Sequence, residues 1–208
     1  GWIWRKTKRG MIRAVLKSFR VKQWIKNLFV LAALLFTQNY TDPELTARAL
    51  VAFGLFCLLS SCVYLINDIL DVRADRQHPI KKYRPIASGR LSIPVAVITA
   101  VVLAVFSLSA SWLMLGGKFF AIASVYLVIN LLYSKILKHM VILDVLIVAI
   151  GFVLRAMAGA AAIGVAISNW LLLCTILLSL FLALSKRRHE LVLLEGGAIV
   201  QDGSFNAL

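Results

Sequence analysis

Three of the nine acidic residues in this chain fall in one short stretch, Asn67-Asp68-Ile69-Leu70-Asp71-Val72-Arg73-Ala74-Asp75. On a helix each residue turns about 100°, which puts Asn67, Asp68, Asp71 and Asp75 within an arc of about 100° on one face. Like charges on one helical face repel, so the helix itself has no reason to gather them. A bound cation supplies that reason. The hard oxygens of Asp and Asn suit Mg²⁺, which is commonly held by one or two carboxylates together with substrate phosphates. Asn67, Asp68, Asp71 and Asp75 are therefore the candidate metal ligands. Bases follow at once in Arg76-Gln77-His78-Pro79-Ile80-Lys81-Lys82-Tyr83-Arg84-Pro85. Lys81, Lys82 and Arg84 are candidates for phosphate oxygens, so acids and bases together describe a diphosphate site. The plainer alternative is a solvated loop whose acids pair with its own Arg and Lys. Pro79 and Pro85 are expected to end the helix and stiffen the loop.

The elements that would position these residues are membrane helices. The chain has 208 residues, 61% of them hydrophobic, and a mean hydropathy of +0.89. A soluble domain averages about 45–50% apolar residues. The excess lies in six blocks, at 28–36, 49–66, 93–115, 119–133, 141–163 and 170–184. Continuous apolar runs are read as α-helical spans, because a barrel would show alternation and lipid offers the backbone no other partner. The fold class expected is an all-α, polytopic transmembrane bundle with about six helices visible.

The net charge of +14 would suggest nucleic acid in a soluble protein, but its distribution argues for a membrane and no nucleic acid. Arg5, Lys6, Lys8, Arg9, Arg13, Lys17, Arg20, Lys22 and Lys26 precede or open the first block. Arg73, Arg76, Lys81, Lys82, Arg84 and Arg90 follow the second block, Lys135 and Lys138 the fourth, and Lys186, Arg187 and Arg188 the sixth. The opposite side holds only Arg48 and Lys118. The positive-inside rule then puts the N-terminus, the acidic segment and the loop after the fourth helix in the cytoplasm of a cell (inner) membrane protein. The basic start is long and no small-residue cleavage site follows it, so no cleavable signal peptide is expected. Cys57, Cys62 and Cys174 all fall in predicted helices and read as small apolar residues.

A second polar cluster closes the fourth helix, Tyr133-Ser134-Lys135-Ile136-Leu137-Lys138-His139, with Asp144 at the start of the fifth. Tyr133, Lys135 and Lys138 give it a basic character suited to a phosphate-rich substrate. The alternative is that both lysines are ordinary positive-inside anchors. Arg155 lies eleven residues after Asp144, on nearly the same face and about 16 Å deeper. An intramembrane Arg is costly unless paired or wet, so it is a candidate for substrate binding or for pairing with carbonyls or an acid. Gly151 and Gly159 on the same side permit close helix packing.

The acidic segment resembles the first Asp-rich motif, N-D-x-x-D-x-x-x-D, of the UbiA superfamily of intramembrane prenyltransferases. The run R-P-I-A-S-G from Arg84 to Gly89 resembles that family too, as does the motif's place after the second helix. His78-Pro79-Ile80-Lys81 and Lys22-Gln23-Trp24-Ile25-Lys26-Asn27 are similar to the decaprenyl-phosphate phosphoribosyltransferase branch. The resemblance runs over nearly the whole chain from about Arg20. It implies nine helices around a central cavity, hence a basic cytoplasmic segment at 1–27 and a transmembrane domain at 28–208 that is incomplete at its C-terminal end.

The resemblance further implies Mg²⁺ as cofactor, phosphoribosyl diphosphate as donor and a polyprenyl (decaprenyl-type) phosphate as lipid acceptor. In that reading Asp68, Asp71, Asp75 and Asp144 are catalytic. Lys22, Lys26, Asn67, Lys81, Lys82, Arg84, Tyr133, Lys135, Lys138 and Arg155 bind substrate. The donor's C1–O bond breaks through an oxocarbenium-like state, and the lipid phosphate attacks C1 with inversion. A second reading is transfer of a prenyl group from its diphosphate to an aromatic or other acceptor. A third is a transporter with an acidic ion site, against which the acids lie at the membrane face and not the midplane. A homo-oligomer is compatible with the sequence.

Overall fold

The computed structural model describes residues 11–135 and 141–195, and every regular element among them is a helix. Helix α1 covers 11–18. A 3₁₀-helix, Val21–Leu31, runs directly into α2 (Ala32–Phe36). A 3₁₀ turn, Asn39–Thr41, leads to α3 (Pro43–Leu70) and the short α4 (Val72–Gln77). After a loop comes α5 (Ile93–Ala110), which continues into a π-helical turn, Ser111–Leu115. Then follow α6 (Gly117–Lys135), α7 (Val141–Ile163) and α8 (Asn169–Glu195). Four stretches of the described residues are long and apolar enough to cross a membrane: Pro43–Leu70, Ile93–Leu115, Gly117–Ser134 and Val145–Ile163. A shorter apolar stretch, Asn169–Ser185, opens α8.

The first apolar block departs from the α-helix expected over 28–36. It begins earlier, at Val21, and most of it is 3₁₀. The tighter helix rises about 2.0 Å per residue against 1.5 Å, so this segment and α2 together reach about 30 Å, the thickness of a hydrocarbon core. Three residues per turn also put Trp24, Asn27 and Val30 in one row. That row faces the protein: Trp24 Nε1 donates to Ser61 Oγ at 3.1 Å, and Asn27 and Val30 are fully buried. Ile25 and Leu28, one position along, are exposed.

Helix α3 is the centre of the bundle. Asp42 caps it by accepting from the backbone N–H of Glu44 at 2.8 Å and of Leu45 at 3.2 Å, and Pro43 follows at the first helical position. From Leu45 its sequence is apolar on every side, and residues on every side are buried, among them Phe56, Leu59, Cys62 and Leu65. Small residues bring α5 close: Ala96 and Ala100 are buried, and Cys62 Sγ donates to the Ala100 carbonyl at 3.2 Å. The other side of α5, with Val97, Val101, Val105 and Phe106, is an exposed apolar face suited to lipid. Of the remaining cysteines, Cys57 is buried on α3 and Cys174 is exposed on α8.

The long helices α3, α5, α6 and α7 run in alternating directions. The end of α6 meets the end of α3 through Ser134 and Asn67. At the opposite end Arg48 Nε donates to the Ala162 carbonyl at 2.8 Å, tying the start of α3 to the end of α7. Gly164, with φ of 72°, closes α7: its N–H donates to the Ala161 carbonyl, and the Val165 N–H to that of Ala160 at 3.1 Å. The bases around the acidic segment thus gather at one end of the bundle, and Arg48 and Lys118 lie toward the other.

Helix α7 lies directly on the 3₁₀ segment. A Cβ on Gly159 would overlap the Val30 carbonyl oxygen and come within 2.8 Å of its carbonyl carbon. Backbone cannot swing aside as a side chain can, so Gly159→Ala is expected to lose at least about 2 kcal/mol by overpacking. Gly54 in α3 has nothing within 4 Å of the same position. Gly54→Ala should therefore keep or raise stability, by up to about 1 kcal/mol from helix propensity. Thermal unfolding of the two variants in detergent should move in opposite directions; equal losses would contradict the Gly159–Val30 contact.

Candidate functional site

The acidic segment spans the junction of α3 and α4. The helical hydrogen bonds carry through it: the Asp71 N–H donates to the Asn67 carbonyl at 2.9 Å, and the Asp75 N–H to that of Asp71 at 2.8 Å. Asp68 and Asp75, two turns apart, therefore share a face. Both are buried, at 2% and 3% exposure. Arg84 Nη1 donates to both, at 3.3 Å to Asp68 Oδ1 and 2.7 Å to Asp75 Oδ2. Arg20 Nη2 reaches Asp68 Oδ1 at 2.5 Å. Asp71 is half-buried and also engaged in a polar interaction. Two acids of the segment thus pair with an Arg of the following loop, as the plainer alternative has it, but they are buried and not solvated.

The loop that delivers Arg84 is built locally. His78 is extended ahead of Pro79, as a residue before proline must be, and its Nδ1 accepts from the N–H groups of Ile80 at 3.1 Å and Lys81 at 3.2 Å. A 3₁₀ turn, Lys81–Tyr83, follows, and Pro85 in turn holds Arg84 extended, with ψ of 148°. Ile86 and Leu91 are buried and fasten the loop to the bundle, while Arg76 Nε donates to the Ala87 carbonyl at 3.3 Å. Lys81 is half-buried and engaged, and Lys82 is exposed beside the Tyr83 ring.

Arg20 was not singled out from the sequence as a site residue. It is one of many bases before the first block and lies 48 residues from Asp68, so no spacing marks it. Its backbone is left-handed, φ 50° and ψ 52°, an uncommon conformation for a residue other than glycine. Its guanidinium lies 5.1 Å from the Tyr64 ring centre. Of the two neighbouring lysines assigned to substrate, Lys22 is exposed and Lys26 is half-buried and engaged.

The second cluster touches the first. Asn67 Oδ1 accepts from the Ser134 hydroxyl, so the ends of α3 and α6 are joined at the motif's first residue. Tyr133 beside it is half-buried and engaged. Lys138 lies outside the described residues, and so do the side chains of Lys135 and Asp144.

Arg155 is buried deep in the bundle, and its described partners are neutral. Nε donates to Asn27 Oδ1 at 2.8 Å, Nη1 to the Gly151 carbonyl at 2.8 Å and Nη2 to Tyr126 Oη at 2.9 Å. The guanidinium also lies 4.9 Å from the Tyr126 ring centre and 5.4 Å from that of Phe152. Asn27 passes the network on through Nδ2, which is 3.1 Å from Ser60 Oγ. Of the two sequence readings of Arg155, these contacts are of the pairing kind. Asn27 stands at the entry to the first apolar block, where an amide buried by packing needs a polar partner from another helix.

The donor set fits a magnesium ion chemically, because Asn67, Asp68, Asp71 and Asp75 offer only hard oxygens. Among the described residues no three His, Cys, Asp or Glu side chains converge as they would around a metal. Arg84 Nη1, bonded to two carboxylates at once, is a positive charge between two of the acids, where a cation would also be stabilised.

An α-helical membrane bundle with a buried acid–arginine cluster at one end is the class that the fold and the site define. The profile of the UbiA prenyltransferase family matches residues 27–188, and the chain belongs to that family, whose members are integral membrane proteins. It is 43% identical over 191 residues to a Mycolicibacterium smegmatis protein named decaprenyl-phosphate phosphoribosyltransferase, covering 90% of this chain and 60% of that one. It is 40% identical over 196 residues to a Mycobacterium tuberculosis protein of the same name, covering 91% and 65%. The chain thus spans less than two thirds of the length of these relatives. In fold it is similar to a solved UbiA homolog from Archaeoglobus fulgidus bound to DMAPP and Mg²⁺, with a TM-score of 0.65, 20% identity, and 80% of this chain and 60% of that one covered.

Breaking a buried ion pair from one side costs about 3–5 kcal/mol. Arg20 and Arg84 are each about a fifth exposed. Solvent at the arginines lowers the expected loss for Asp68→Asn to about 2 kcal/mol. Asp42→Asn, an exposed cap for which either residue serves, should cost little. Denaturation of both variants in detergent checks this; a harmless Asp68→Asn would mean that the Arg20 and Arg84 contacts contribute nothing.

Proposed function

We propose that the complete protein transfers the 5-phosphoribosyl group of phosphoribosyl diphosphate to a polyprenyl phosphate, with Mg²⁺, at the cytoplasmic face of the cell membrane. The observation that carries a diphosphate substrate is the Asp68–Arg84–Asp75 cluster with Arg20. It places acids for a cation and guanidiniums for phosphate oxygens within one another's reach. The ribosyl donor and the lipid acceptor are supported by the names of relatives about 40% identical over most of this chain.

Asn67, Asp68, Asp71 and Asp75 would hold the metal, which when bound neutralises charge on the leaving diphosphate. The chain's own residues do the remaining work. Arg20 and Arg84 donate to phosphate oxygens, and Lys81 and Lys82 lie on the same loop for the additional phosphate of the donor. The bond from C1 to the diphosphate oxygen breaks, an acceptor phosphate oxygen bonds C1 from the opposite side, and diphosphate leaves. The acceptor phosphate is already ionised, so no general base is required. The rate enhancement comes from positioning and electrostatics. The cluster lies at the end of the bundle, which supports this reading over that of a transporter with a midplane site.

Asp71→Asn, a nearly isosteric loss of charge, is expected to abolish activity in the full-length protein while leaving insertion intact. Membranes carrying the unaltered full-length protein should move labelled ribose phosphate onto added polyprenyl phosphate. If they ignore phosphoribosyl diphosphate and instead prenylate an aromatic acceptor from a prenyl diphosphate, the donor assignment is wrong and the second sequence reading stands.

The cytoplasmic placement has its own test. A cysteine at exposed Ser88 should be shielded from an impermeant thiol reagent added outside intact cells and react after lysis. Labelling in intact cells would reverse the topology.

A further inference from the structure

Each buried acid of the site already has a positive partner. Asp68 Oδ1 is shared by Arg20 and Arg84, and Arg84 also holds Asp75. The carboxylates of Asp68 and Asp75 are matched in charge by the two guanidiniums, and the half-buried Asp71 is the third acid of the site. A divalent cation arriving alone must either displace Arg84 from between Asp68 and Asp75 or sit beside two guanidiniums at a local excess of one positive charge, Asp71 included. Both are unfavourable around acids that are almost fully buried. A diphosphate removes the conflict, because a guanidinium bonds phosphate oxygens with the same fork geometry that it uses for a carboxylate. The two arginines are also the more accessible members of the cluster, about a fifth exposed where the acids are nearly sealed, so they are the partners able to turn away.

We propose that Arg20 and Arg84 are exchangeable counterions: they neutralise Asp68 and Asp75 until a diphosphate takes them over, so that cation and diphosphate enter the site together and neither is held firmly alone. This rests on the diphosphate reading above and adds a regulation of the same site. It assigns Arg20 a place in that site which its sequence position does not reveal. By linkage, whatever the arginines deny to the cation they deny equally to the diphosphate, and each ligand raises the affinity of the other by one factor.

The inference makes a prediction of opposite signs. If the arginines were only phosphate ligands, neutralising one would weaken diphosphate binding and leave the cation alone unaffected. If they compete with the cation for the acids, neutralising one must also tighten binding of the bare cation. The test is equilibrium dialysis of the purified full-length protein against Mn²⁺, with and without inorganic diphosphate. Arg84→Gln is expected to retain Mn²⁺ alone at least threefold more tightly than the unaltered protein. With diphosphate present it should retain Mn²⁺ at least threefold less tightly. Arg20→Gln should shift both in the same directions and serves if Arg84→Gln does not elute as a monodisperse species. Unchanged or weaker binding of Mn²⁺ alone by the folded variants would overturn the exchange while leaving the diphosphate site intact. An unaltered protein that retains no Mn²⁺ even with diphosphate would overturn the metal reading itself, and the exchange with it.

Discussion

The Asp68 carboxylate, almost fully removed from solvent, is the constraint around which this end of the molecule is arranged. A buried carboxylate is tolerated only when paired and hydrogen-bonded. Its two partners come from opposite directions along the chain, Arg20 from before the first apolar segment and Arg84 from the loop beyond α4. One oxygen atom therefore fastens three stretches of sequence that no regular hydrogen-bond ladder connects. The local devices around it serve that meeting. The left-handed backbone at Arg20 and the extended backbone that Pro85 imposes on Arg84 fix where the two guanidiniums leave the main chain.

A second cation organises the interior on a different principle. The described partners of Arg155 are an amide, a carbonyl and a phenol, with two aromatic rings against its plane. Dipoles and ring faces here do the work that a carboxylate does at Asp68. Arg20 uses a ring as well, that of Tyr64, one turn before Asp68 on α3. Asn27 joins α7 to the 3₁₀ segment through Arg155, and that segment begins next to Arg20. The deep cation and the site at the bundle's end are thus mechanically related through one short helix.

Much of this was legible in the sequence. The four apolar blocks between 49 and 163 give the spanning helices, because length and continuity of hydrophobicity are local properties, whereas the block at 170–184 is a shorter apolar stretch that opens α8. The shared face of Asp68 and Asp75 follows from helical period alone, and the two prolines do set the loop. Three features were not legible. Arg20 pairs across 48 residues, and nothing in its neighbourhood separates it from the other bases. The Ser134–Asn67 contact depends on how α6 packs on α3. The block at 28–36 reads as a short α-helix because apolar composition does not distinguish 3.6 from 3.0 residues per turn. The row at Trp24, Asn27 and Val30 carries the period, but only Asn27 in it is polar enough to mark a direction.

That three-residue period bears on which changes of length this region can absorb. An α-helix displaced by one residue turns its neighbours by about 100° and distributes the error around a broad face, whereas a 3₁₀ row shifts by about 120° and loses its whole line at once. One inserted or deleted residue between Arg20 and Val30 would turn Trp24, Asn27 and Val30 from Ser61, Arg155 and Gly159 toward lipid, or carry Arg20 away from Asp68. Substitutions along the outer row of Ile25 and Leu28 meet no such limit. Descent should therefore have varied the residues on the outside of this segment while holding its count, a molecular ruler between a site at the membrane face and a cation in the membrane's interior.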